Sequence, residues 1–164
     1  MQKRGNPEST LKGLSLRRRW VVALVACLVI LADQTSKSLA EANLANHSIE
    51  LLGPVQLRLV YNSGAAFSIG TGLGPVIEIV AAVVVVFVWL YLKRVEATIA
   101  LVAGGLIIGG AISNVSDRIF RANHGAVIDF FYTKYWPTFN VADACITTGI
   151  ILLAWHSLRA RKVT

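Results

Sequence analysis

Between Ala97 and Ser116 the chain runs for twenty residues without one charged side chain. A helix of that length covers about 30 Å, the thickness of a bilayer's hydrocarbon core. Only 15% of the 164 residues are charged and 55% are hydrophobic, whereas about a quarter of a soluble domain is charged. The sequence therefore predicts a small polytopic membrane protein with a single domain. Cys27 and Cys145 both lie in apolar runs and are expected to pack rather than to form a disulfide or bind metal.

Three more apolar runs complete the pattern. Trp20 to Ala32 is long enough to span only if its helix continues through Asp33, Gln34 and Lys37 to about Ala40. Val76 to Leu92 follows Gly74-Pro75 and stops at Lys93-Arg94, and Val141 to Leu158 stops at Arg159. The expected fold is an all-α membrane protein, a four-transmembrane-helix bundle with spans near 20–40, 75–92, 97–116 and 141–158. One domain over 20–158 would lie between a flexible tail, 1–19, and a short tail, 159–164. Val55 to Leu59 alternates in polarity and leads into Asn62-Ser63-Gly64, which predicts a strand and turn, hence a small β-sheet. Residues 117–139 carry seven aromatic side chains and are expected to form an interfacial segment on the same side of the membrane.

Four spans place both termini together, and eleven of the sixteen Lys and Arg, at 3–19, 93–94 and 159–162, then share their side. The positive-inside rule makes that side cytoplasmic and the connections carrying the sheet and the aromatics periplasmic. The net charge of +7 is thereby explained without nucleic acid. Arg17 to Arg19 before an apolar stretch resembles a secretory signal, and Leu24-Val25-Ala26-Cys27 a lipobox. The apolar run continues past Cys27, however, and three more spans follow.

Counting helical rise from the cytoplasmic ends puts Asp33 roughly 20 Å deep, Asn114 roughly 26 Å and Asp143 roughly 24 Å. Three helices thus bring polar groups to one level in the outer leaflet. Each group alone has a structural explanation. Asp33 and Lys37 have helix ion-pair spacing; Asn140 and Asp143 form an N-cap box; Gly105, Gly109 and Ser113 form a small-residue ridge for helix packing. Together, Asp33, Asp117, Asp129 and Asp143 are four of only nine acidic residues, and ionisable groups at membrane depth mark function. With Lys37 and Arg118 as the local cations, the surplus of carboxylates should push at least one carboxyl pKa upward.

The inventory lacks HExxH and disperses its three histidines, which disfavours a zinc hydrolase. Neither cysteine has a neighbouring base. Two aspartates activating water remain the best catalytic option, beside a small proton-coupled transporter and a non-catalytic assembly factor. A transporter would place polar groups along the whole membrane depth and would usually carry an internal repeat.

Four ordered motifs add to this reading: Asp33-Gln34-Thr35-Ser36-Lys37; Asn62-Ser63-Gly64-Ala65-Ala66-Phe67; Gly109 to Arg118 (GGAISNVSDR); and Val127-Ile128-Asp129-Phe130 with Trp136 to Asp143 (WPTFNVAD). They resemble those of the bacterial lipoprotein signal peptidases (signal peptidase II) over about residues 20–158. Ser113 stands where that family usually has Gly.

The resemblance implies an aspartic endopeptidase of the bacterial inner membrane. It would remove signal peptides from diacylglyceryl-modified prolipoproteins, cutting before the lipid-bearing cysteine, with Asp129 and Asp143 as catalytic dyad and no metal or cofactor. Asn114, Arg118 and Asn140 would position substrate or dyad, and Asn62 and Gly64 would line the substrate site. Asp33, Lys37, Asp117, Gly110 and Phe67 would support it. Substrate acyl chains would stay in membrane lipid, globomycin-type cyclic peptides would inhibit, and a monomer is expected.

Overall fold

The computed structural model describes residues 7–64, 74–93, 95 and 97–161, with side chains over 16–64, 79–93, 95 and 97–159. Four helices, α1 (Pro7–Leu44), α2 (Gly74–Leu92), α3 (Thr98–Phe120) and α4 (Val141–Arg161), and four strands, β1 (Ile49–Leu52), β2 (Val55–Asn62), β3 (Val127–Thr133) and β4 (Trp136–Phe139), follow in the order α1-β1-β2-α2-α3-β3-β4-α4. Three helical segments, Leu16–Leu44, Thr98–Phe120 and Val141–Arg159, are long and apolar enough to cross a membrane, and Ile79–Leu92 is a shorter apolar stretch of α2.

One buried stripe shows why α1 folds where it does. Val22, Ala26, Val29, Asp33, Lys37, Ala40 and Leu44 are all buried and recur every three or four residues, so Asp33 and Lys37 sit on the face that packs inward. On the opposite face Leu24, Leu28 and Leu31 are exposed. Large apolar residues outside and small or polar ones inside suit a lipid surround, where close packing rather than hydrophobicity drives association.

The centre of the bundle is α3, which packs against α1, α2 and α4. Its glycines set the approach of the two polar helices. A Cβ on Gly109 would lie 2.7 Å from the Ala26 carbonyl oxygen of α1, and one on Gly110 would lie 2.6 Å from the Ala142 carbonyl oxygen of α4.

The sheet is antiparallel in the order β1-β2-β3-β4. It unites two distant connections: β1 and β2 follow α1, while β3 and β4 link α3 to α4. Pairing places Val60 opposite Asp129 and Asn62 opposite Val127. Ile128 and Phe130 of β3 pack with Ala40 and Leu44 of α1, fixing the sheet to the end of the bundle.

Two expectations need correction and a third gains detail. Residues 7–19, expected as a flexible tail, are helical and continuous with α1; Pro7 suits a first helical position, and Leu11, Lys12, Leu14 and the arginines are good helix formers. The 117–139 segment, expected to lie along the interface, ends α3 and then contributes half the sheet, a regular structure that leaves its expected interfacial position untouched. Cys27 faces outward rather than packing in the bundle.

Candidate active site

The site begins with a lysine buried in the bundle. Lys37 is fully buried and its Nζ has three acceptors: Asp33 Oδ2 at 2.7 Å, Asp117 Oδ2 at 2.8 Å and Asn114 Oδ1 at 2.8 Å. Three donors meet three acceptors, so the ammonium is saturated. A buried charge is tolerable only when paired and hydrogen-bonded in this way.

Each acceptor carries the network onward. Asp33 accepts Ser113 Oγ at 2.8 Å on Oδ2 and the Ala142 backbone N–H at 2.8 Å on Oδ1. It thereby ties α1 to the first turn of α4, where a carboxylate is favoured by the helix dipole. Asp117 accepts Gln34 Nε2 at 2.7 Å and Arg121 Nε at 3.2 Å on Oδ1, and the Ile128 backbone N–H at 3.2 Å on Oδ2. Asn114 donates to Asp143 Oδ1 at 2.8 Å.

Asn140 joins the last two carboxylates. Its Oδ1 accepts the Asp143 N–H at 2.9 Å while its own N–H donates to Asp143 Oδ2 at 3.2 Å, a reciprocal capping box on α4. Its Nδ2 donates to Asp129 Oδ1 at 2.8 Å, and also faces the Ile128 and Asn114 oxygens at 3.2 Å. The box anticipated as a structural feature is therefore also the bridge between Asp129 and Asp143. Asp129 receives a second donor, Asn62 Nδ2, at 3.0 Å. Asn62 Oδ1 in turn accepts the Gly64 N–H at 3.1 Å, and the Gly64 backbone carbonyl accepts Arg118 Nη2 at 3.4 Å.

Burial pushes the Asp129 carboxyl from 3.8 up to about 7, against the Asn62 donor; the neighbouring Asp143 adds to the rise, and Asn140 and Lys37 oppose it. Desolvation thus outweighs the carboxylate surplus expected as the cause. A cleft of about 410 Å3 opens on Asp129, walled by Val60, Asn62 and Tyr132 and by the β3–β4 turn through Trp136. Tyr135 and Trp136, 79% and 67% exposed, stand at its rim.

All the residues picked out in sequence meet here except Phe67, which lies outside the described residues. Gly110 contributes no polar group; it makes room for the first turn of α4. Sequence reasoning missed Gln34 and Arg121 and took Ser113 for packing alone, although its hydroxyl accepts Gln34 Nε2 at 3.0 Å and donates to Asp33. For Arg121 the available signal was its position four residues after Asp117.

At the other end of the bundle the interior is apolar, built from Val22, Ala26, Val88, Leu92, Leu101 and Ile107. A multi-pass membrane protein with interlinked carboxylates at one end and a cleft reaching one of them has the form of a membrane-embedded enzyme. The chain belongs to the signal peptidase II family: the profile described as Signal peptidase (SPase) II matches residues 25–159. It is 40% identical to the lipoprotein signal peptidase of Rhodococcus jostii over 84% of this chain and 72% of that protein. To the lipoprotein signal peptidase of Streptomyces coelicolor it is 37% identical, over 87% and 72%. A bacterial membrane enzyme solved by the in meso method at 2.3 Å resolution superposes with a TM-score of 0.74 at 26% identity, covering 84% of this chain and 87% of that one. The protein is therefore a membrane peptidase.

Proposed function

We propose that the protein is an intramembrane aspartic endopeptidase that removes the signal peptide from diacylglyceryl-modified prolipoproteins, cleaving on the N-terminal side of the lipid-modified cysteine. The observation that carries this is the Asn140 bridge, which holds Asp129 and Asp143 together beside an open cleft. Relatives named lipoprotein signal peptidases supply the substrate class.

Asp129 and Asp143 share one proton and titrate as a unit. We assign the proton to Asp129, which faces the cleft and whose carboxyl burial raises to about 7; Asp143, held by the Asn114 amide and the Asn140 N–H, serves as the base. Water loses a proton to Asp143 as its oxygen attacks the scissile carbonyl carbon, and Asp129 protonates the carbonyl oxygen. The tetrahedral diol then collapses: the C–N bond breaks, the amine nitrogen takes a proton from Asp143, and Asp129 recovers its own. No covalent enzyme intermediate forms and no metal or cofactor takes part.

Asn114 and Asn140 hold the pair, while Asn62, Gly64 and Arg118 form the edge against which the substrate backbone lies. Asp33, Lys37, Asp117, Gly110 and Phe67 support that arrangement. We place the protein in the bacterial inner membrane as a monomer of four spans, α2 included, with both termini cytoplasmic and the sheet periplasmic. Substrate acyl chains remain in the outer leaflet, where each buried methylene contributes about 0.8 kcal/mol to affinity. Globomycin-type cyclic peptides occupy the same cleft. The apolar interior at the far end of the bundle disfavours a proton-coupled transporter, which needs polar groups along its depth.

The test is cleavage of a purified diacylglyceryl-modified prolipoprotein by the solubilised protein beside Asp129→Asn and Asp143→Asn. Both variants should fold and lose cleavage. Normal cleavage by either variant would overturn the dyad, and an inert wild type would overturn the substrate.

A further inference from the structure

Arg121 ends α3 and turns its side chain back across the bundle. Its Nε donates to Asp117 Oδ1 at 3.2 Å, its Nη2 faces the Gln34 carbonyl at 3.3 Å, Gln34 Oε1 at 3.0 Å and Ser38 Oγ at 3.2 Å, and its Nη1 pairs with Glu41. Gln34, Ser38 and Glu41 follow one another along α1 at helical spacing. A single guanidinium therefore fixes two turns of α1 to the end of α3.

The contact with Asp117 gives this clamp a route to Asp129. Asp117 presents Oδ1 to Gln34 and Arg121 and Oδ2 to Lys37 and the Ile128 N–H. Ile128 immediately precedes Asp129, and its carbonyl is held at 3.2 Å by Asn140 Nδ2. The amide and the carbonyl of Ile128 are thus both tethered, one through Asp117 and the other through the residue that bridges the two carboxylates. Removing Arg121 leaves Asp117 with Lys37 as its remaining paired cation among the described residues. Asp117 Oδ1 then keeps the neutral Gln34 donor but no cation, so the orientation of the carboxylate, and with it the acceptor offered to the Ile128 N–H, is less firmly set.

We infer that Arg121 is a positioning residue for the Asp129 carboxyl, acting through Asp117 and the Ile128 backbone. The inference rests on the reading of Asp129 and Asp143 as the reacting pair. Arg121 does not line the cleft that opens on Asp129, so its loss alters turnover and leaves substrate affinity intact. Glu41 is the internal control, because its ion pair lies on the side of the guanidinium away from Asp117.

The experiment is steady-state cleavage of a lipid-modified prolipoprotein by the full-length protein in bilayer nanodiscs, comparing Arg121→Gln, Arg121→Lys and Glu41→Gln, with the folded fraction measured by gel filtration and thermal unfolding. Misplacing a catalytic group by about 1 Å costs on the order of 100-fold. Arg121→Gln should therefore lower kcat about 10- to 100-fold per folded molecule with KM kept, and Glu41→Gln should keep both. Arg121→Lys should fall between Arg121→Gln and wild type, since an ammonium reaches Asp117 but cannot also serve Gln34 and Ser38. Wild-type kcat in folded Arg121→Gln, or lost activity explained entirely by lost folded protein, overturns the inference. If Arg121→Gln does not fold, Arg121→Lys decides: reduced kcat at unchanged KM supports the role, and wild-type kcat overturns it. Asp129→Asn runs in parallel; if it cleaves normally, it is the dyad reading that has failed, and with it the basis of this one.

Discussion

Replacing Lys37 by methionine keeps most of the side chain's volume and deletes its charge. Three contacts of 2.7 to 2.8 Å disappear, to Asp33, Asp117 and Asn114. The losses are unequal. Asp117 still has Arg121 as a counter-charge and Gln34 and the Ile128 N–H as donors, whereas Asp33 keeps, among the described residues, the neutral donors Ser113 and Ala142 N–H. The uncompensated charge therefore falls on Asp33, which is 0% exposed. Breaking a buried pair by removing one partner costs about 3 to 5 kcal/mol, the loss expected for Lys37→Met. Adding Asp33→Asn should recover about 1 to 3 kcal/mol, because the amide oxygen can still accept from Ala142 while its nitrogen donates to Ser113 Oγ. Reversible unfolding in mixed micelles with rising SDS, followed by tryptophan fluorescence, measures both values. A loss under about 1 kcal/mol in the single variant, or a double variant less stable than the single, would refute a charge-based role for Lys37 in holding the bundle.

Three other outcomes are expected. Gly110→Val places a side chain where a Cβ already lies 2.6 Å from the Ala142 carbonyl oxygen and 2.7 Å from Ile146 Cγ1; α4 must shift, at about 1 to 3 kcal/mol, and the SDS midpoint and the cleavage rate should drop together. Asn140→Ala removes both the helix cap and the donor to Asp129, costing about 1 to 2 kcal/mol, while Asn140→Asp keeps the cap but buries an unpaired carboxylate against Asp129 and Asp143; the Asp variant should be the less stable in the same unfolding assay, and both should cleave poorly. Asp129 has a folded pKa of about 7 against 3.8, so the folded state holds the extra proton between those values. Stability therefore falls as pH rises from about 4 to about 7 and levels off above, by at most about 4 kcal/mol; Asp129→Asn should remove that slope, and equal slopes in the two proteins would refute the burial argument.

The helices and the convergence of their polar groups were legible because both follow from local facts, the length of an uncharged run and the rise of a helix. Asp33, Asn114 and Asp143 could be set at one depth by counting residues, and in the structure Asn114 touches Asp143 while Asp33 meets the backbone beside it. The β3 strand was not legible. Its first four residues, Val127 to Phe130, are all buried, which erases the alternation that marks a half-buried strand, and its partner β2 lies more than sixty residues earlier. The helical start of α1 was hidden for a different reason: its helix formers and Pro7 are there, but a polar stretch without an apolar period lacks the signal that outweighs its Gly and polar residues. Arg121 could be paired with Asp117 by spacing alone, but its contacts with Gln34, Ser38 and Glu41 depend on where α1 passes.

The bond from the Ala142 amide to Asp33 also orders events in time. It joins residues 109 positions apart, and a chain emerges from the ribosome N-terminus first. Lys37 and Asp33 are paired as soon as α1 exists, and α3 brings Asn114 and Asp117, so a partly synthesised chain already has its buried charge neutralised. Asp143 and the amide that anchors α4 arrive with the last helix. Until then Asp129 has Asn62 but lacks the Asn140 donor that links it to Asp143, so on the proposed dyad reading the nascent protein would be inert.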